Sequence, residues 1–117
     1  MTAAAAQLAH RMTERELQDS VTDLCKHLGL WAWHPYDMRR SEPGWPDLVI
    51  LGRSAIFAEL KSQRGQLTSE QRKVGYLLQA AGLRFVVWQP VDWLDGTIRQ
   101  HLEMIAHSEH GQPPDPR

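Results

Sequence analysis

Three side chains in this chain have the types and spacing to carry out hydrolytic chemistry. Asp47 follows Pro46, and after eleven intervening residues come Glu59, Leu60 and Lys61. In an extended strand successive side chains alternate between faces, so Glu59 and Lys61 point one way and Leu60 the other. If the two segments are neighbouring strands, two carboxylates and an ammonium converge. A hard divalent cation such as Mg²⁺ binds carboxylate oxygens and keeps several waters, so Asp47 and Glu59 suit it, with backbone oxygens and a substrate phosphate completing the shell. Such a cation activates water and neutralises charge building on phosphate. Lys61 would orient the attacking water or stabilise the transition state. This is the toolkit of phosphodiester hydrolysis. The same residues also have plainer readings. Glu and Lys two apart on a strand commonly form a surface ion pair of little energetic weight, and Pro-Asp is a common turn.

The elements that must position these groups follow from patterning. Thr13-Glu-Arg-Glu16 is a capping box that opens a helix, Leu17, Val21, Leu24 and Leu28 form its apolar stripe, and Gly29 ends it. At about 100° per residue, Glu14 falls at the edge of that stripe while Glu16 projects away; for Glu14 the plainer reading is interaction with the helix dipole. Residues 30–34 (LWAWH) read as a strand, and the polar stretch 35–43 as an irregular loop with Arg39 and Arg40. Residues 47–51 (DLVIL) form a continuous apolar run, expected of a strand buried on both faces. A short turn then leads to a strand over 55–61, which implies an antiparallel hairpin. A second capping box, Thr68 to Gln71, starts a helix with Val74, Leu77, Leu78 and Ala81 as its stripe. Gln71 lies one turn before Val74 and so faces the sheet, with capping as its plainer role. Residues 84–88 (RFVVW) make a last strand, parallel to an earlier one after the helical crossover. From Pro90 the pattern gives one helix or two, broken near Gly96.

Composition bounds the rest. At 117 residues the chain fits one domain. Residues 1–12 are read as a frayed or helical extension, 13–107 as the domain, and 108–117 as a disordered, proline-rich tail. The formal charge of −1 speaks against a protein that coats DNA through a global field, so any basic surface is local. One cysteine, Cys25, excludes an intrachain disulfide framework and fits a reducing compartment. No apolar run approaches the ~18 residues of a membrane span, and no leader pattern opens the chain; a cytoplasmic protein without membrane contact is expected. Trp31, Trp33, Trp88 and Trp93 are assigned to the core, with an apolar dimer surface as the alternative. The histidines lack zinc-like spacing, and Cys25 reads as a small core residue.

Pro46-Asp47, the eleven-residue gap and Glu59-Leu60-Lys61 resemble the PD-(D/E)xK nuclease signature. TERELQ, GWPDLVI and AELKSQRGQLTSEQ bring the chain closer still to the VRR-NUC branch, the virus-type replication-repair nuclease domain. The likeness spans roughly residues 13–92 and is specific, several motifs falling in order. It implies an α/β, restriction-endonuclease-like core, a mixed four-stranded sheet flanked by helices in the order αβββαβα. It also implies roles: Asp47, Glu59 and the Leu60 backbone carbonyl as ligands of Mg²⁺ or Mn²⁺, Lys61 as catalytic lysine, and Glu14 and Gln71 as the helical contributions to the site. Gly44 fits the family's residue before the Pro-Asp turn. The implied protein is a stand-alone, metal-dependent DNA endonuclease of a bacterial or phage-infected cell, selective for branched DNA such as four-way junctions and acting as a homodimer. The alternative is a catalytically silent nucleic-acid-binding or protein-interaction module on the same fold. Arg39, Arg40, Arg64, Arg72 and Lys73 are the candidate contacts to DNA phosphates.

Overall fold

Local sequence rules account for most of the elements in the computed structural model, which describes residues 1–34 and 43–106. The elements run α1 (Ala3–Arg11), α2 (Glu14–His27), β1 (Trp31–Trp33), β2 (Leu48–Leu51), β3 (Ala55–Leu60), α3 (Ser69–Ala80), β4 (Arg84–Trp88), α4 (Pro90–Leu94) and α5 (Thr97–Ile105). Both capping boxes form: Thr13 exchanges hydrogen bonds with Glu16, and Thr68 with Gln71. The alanine-rich start is the helix α1, packed on α4 with Ala9 buried. The chain after Pro90 is two helices, separated at Gly96, whose φ is +85°.

The four strands lie in the order β1-β2-β3-β4. β1 and β2 pair antiparallel, as do β2 and β3, while β3 and β4 are parallel, so the sheet is mixed, as expected. Leu48 pairs with Ala58 and Ile50 with Ile56, which places these side chains on one face. That face, continued by Leu60 and Trp88, buries against Leu17, Val21, Leu24 and Cys25 of α2 and Ile98, Leu102 and Ile105 of α5. It is the hydrophobic core.

Three expectations of burial are corrected. β2 is buried on one face only: Val49 is half-buried and Leu51 exposed, because no helix closes over them as α2 and α5 close the other side. On α3 the residues that pack are Gly75 and Leu78, with Val74 half-buried, whereas Leu77 and Ala81 are exposed. The helix sits so close to β4 that a Cβ at position 75 would strike the Phe85 ring. This rotates the contact line from the larger side chains onto the glycine. Trp88 is core and Trp93 packs on it, but Trp31 and Trp33 are 55 % and 45 % exposed, since they stand on an edge strand facing away from the core.

Candidate metal and nucleic-acid site

The β2–β3 register places the residue before Leu48 opposite the residue after Ala58, so Asp47 meets Glu59 at the open end of the hairpin. Asp47 is fixed there by the backbone, its Oδ2 accepting a hydrogen bond from the Leu60 N–H at 2.8 Å. The approach to it is also fixed. Gly44, with φ +87°, lies against the first turn of α3, and a Cβ there would collide with the backbone of Glu70 and Gln71. Only glycine both adopts that left-handed conformation without cost and leaves the room. The resemblance to a family pattern thus acquires a physical reason at Gly44.

Glu59 sits on the face opposite the core, the same face as Phe57, and yet is only 2 % exposed. Its carboxyl lies within hydrogen-bonding reach of the Asp47 carboxyl, and its Oε2 is buried without a hydrogen-bond partner among the described residues. Burial, first of all, pushes this acid up to about 9, and the hydrogen bond and charge of Asp47 add to the shift. The Glu14 carboxylate raises it further, while the Lys61 ammonium opposes the rise. Glu14 is exposed rather than set into the stripe of α2, but its charge reaches Glu59 across the gap between helix and sheet. Gln71 is half-buried, its Oε1 accepting from the Thr68 N–H at 2.9 Å. Its capping role is therefore realised.

A buried carboxyl with an orphaned oxygen beside a second carboxyl is costly unless a proton or a cation supplies the missing partner. The pair fits a hard divalent ion on that ground. Among the described residues no group of three or more His, Cys, Asp or Glu side chains is arranged to hold a metal. Protein side chains would therefore supply two carboxylates, leaving room for backbone oxygen, water and phosphate, the coordination that Mg²⁺ favours.

Two of the candidate phosphate contacts line different hollows. Arg64 lines a hollow of about 400 Å³ with His10, Ser62 and Gln63, and Arg72 lines another of about 280 Å³ with Gly65, Gln66, Leu67, Val87 and Gln89. Lys73 is exposed on α3. Arg39 and Arg40 lie outside the described residues.

Sequence patterning does not single out Gln89. Its Nε2 donates to the carbonyl oxygens of Gln63 at 3.1 Å and Ser62 at 3.3 Å, and the Gln63 Oε1 accepts from the Val91 N–H at 3.0 Å. Together with the Lys61 N–H donated to the Trp88 carbonyl at 3.0 Å, these bonds hold the loop that follows Lys61. The only trace in the sequence is an amide residue immediately before Pro90. Cys25 is buried, and burial pushes its thiol up to about 12, so it is a core side chain rather than a nucleophile.

A mixed four-stranded sheet with a carboxylate pair at the open end of its central hairpin defines the restriction-endonuclease-like class of fold. Among solved structures, a VRR_NUC domain protein matches this chain with a TM-score of 0.63, covering 88 % of this chain and 97 % of that one at 20 % sequence identity. No family model matches the chain, and no curated protein matches it. The chain has the VRR-NUC fold, in agreement with the resemblance carried by its motifs.

Proposed function

We propose that this protein is a metal-dependent endonuclease that hydrolyses DNA phosphodiester bonds, with branched DNA such as four-way junctions as its preferred substrate. The observation that carries the reading is the buried Glu59 carboxyl, its Oε2 without a partner, set beside Asp47 on a strand that also presents Lys61. Asp47, Glu59 and the Leu60 carbonyl would hold Mg²⁺ or Mn²⁺. When bound, the cation supplies positive charge against the scissile phosphate and makes an attacking water more acidic. Lys61 orients that water and stabilises negative charge as it develops. Gln89 keeps the loop after Lys61 in place through the Ser62 and Gln63 carbonyls. Glu14 contributes charge at the rim, Gln71 fixes the start of α3, and Arg64, Arg72 and Lys73 contact phosphates.

Symmetric cutting of a four-way junction needs two active sites, which a homodimer provides. The exposed Tyr76 and Leu77 on α3 offer apolar surface for a second copy. No helix among the described residues is long and apolar enough to cross a membrane. With its one cysteine unpaired, the protein suits the reducing cytoplasm of a bacterial or phage-infected cell.

The test incubates the protein with linear duplex, single-stranded, flap and four-way-junction DNA, with Mg²⁺ or with EDTA. Metal-dependent cutting, strongest on the junction and reduced about 10²- to 10³-fold by Lys61→Ala, is the expected result. Binding without cutting under any metal condition would overturn it.

A further inference from the structure

Apart from Asp47, Glu59 and Lys61, the strand residues on the Glu59 face of the sheet are apolar, and the face ends at an edge strand with two exposed indoles. Trp33 pairs with Val49, Val49 with Phe57, and Phe57 with Phe85, so one cross-strand row runs from the edge across the sheet. Trp45 stacks edge-on against Phe57 in that row, with ring centroids 5.9 Å apart. Asp47 and Glu59 form the adjacent row, about 7 Å along the strands. Trp31 stands one row further out, opposite Leu51.

We propose that Trp31 and Trp33 form a stacking platform for the bases of an unpaired DNA strand entering the Asp47–Glu59 site. The inference rests on the nuclease reading of that site and adds the form of nucleic acid it takes. A solvent-facing indole offers a π-face to any base without regard to sequence. Two such residues at i and i+2 on a strand are about 6.8 Å apart. Bases stacked in a duplex are spaced about 3.4 Å along each strand and have their faces covered. The platform therefore matches two bases drawn apart in a single strand, the condition of DNA at a flap or an open branch point. The formal charge of −1 leaves no strong global field to hold such a strand, which makes ring contacts worth more to its placement. A second copy of the chain is the weaker occupant. At about half of roughly 250 Å² each, the two indoles offer about 250 Å², well below the ~800 Å² per partner of a stable interface.

The test measures binding rather than cleavage, so that it is independent of hydrolysis. Fluorescence anisotropy with a labelled oligothymidylate and with a blunt duplex, in EDTA, compares wild type with Trp31→Ala, Trp33→Ala, Trp33→Leu and Trp33→Phe. The expected result is about a tenfold loss of single-strand affinity for each alanine variant and for Trp33→Leu. Trp33→Phe, which keeps an aromatic face, retains most of the affinity, and duplex binding stays within about twofold. Circular dichroism and light scattering on the same samples check fold and mass. Equal single-strand affinity across the series, a wild type that does not bind the single strand, or a change of oligomeric mass in Trp33→Ala would each overturn the platform. Loss of single-strand affinity in a protein that cuts no DNA would leave the platform standing and remove the nuclease reading instead.

Discussion

The two faces of the sheet are made by the same strands and treated oppositely. On one face Leu48, Ile50, Ile56, Ala58, Leu60 and Trp88 are closed over by α2 and α5 and lose nearly all contact with water. On the other, Glu59 is buried among neighbours that are open: Val49 half-covered, Leu51, Val87, Trp31 and Trp33 exposed. The first face holds the fold together through ordinary apolar burial. The second spends some of that stability on keeping two carboxyls together in a place water reaches poorly.

The contrast can be broken most severely from the closed face. Trp88→Ala should cost about 3–5 kcal/mol, since Trp88 is 1 % exposed and its Nε1–H also donates to His101 Nδ1 at 3.3 Å. A denaturant midpoint shift of that size, against almost none for Trp33→Ala, would establish which face carries stability. The open face should respond to pH. Between the ordinary 4.5 of an unfolded glutamate and about 9 in the folded, metal-free protein, Glu59 holds a proton that the unfolded chain has released. The folded state binding more protons means that stability falls as pH rises through that window, by at most ~1.4 kcal/mol per unit. The contribution is whole below about 4.5 and gone above about 9. Glu59→Gln, neutral and of the same shape, should raise metal-free stability at pH 7 by at most ~3 kcal/mol and flatten this slope. Denaturation in EDTA at pH 5, 7 and 9 reads it, and an unchanged slope in the variant would assign the pH dependence elsewhere. The smallest of these effects tests the approach to the site. Gly44→Ala forces a left-handed φ of +87° and a collision with the backbone of α3, and should cost ~1–3 kcal/mol in thermal stability.

The sequence is most legible where interactions are local. The two capping boxes and the hairpin over β2 and β3 depend on neighbours in the chain, and each forms as its pattern implies; the parallel return of β4 spans 28 residues and follows instead from the helical crossover. Asp47 and Glu59 come together because hairpin register is itself a local property. What could not be read was which side of an apolar strand a helix would cover. Leu51, Trp31 and Trp33 carry the same hydropathy as buried residues, and only the placement of α2 and α5 on the far face leaves them open. Leu77 failed likewise, because Gly75 lets α3 approach Phe85 along a different line. Gln89 illustrates the other limit. Its partners are 26 and 27 residues away, and no periodicity reports such a contact.

Gly44 also has a mechanical meaning. Glu59 is paired with Val87 of β4 and lies one residue beyond the Leu48–Ala58 pair that ends the β2 ladder. Asp47 instead follows a turn pressed against the first turn of α3. The same aspartate accepts from the Leu60 N–H, so the turn, the start of α3 and the residue after Glu59 are tied together through one side chain.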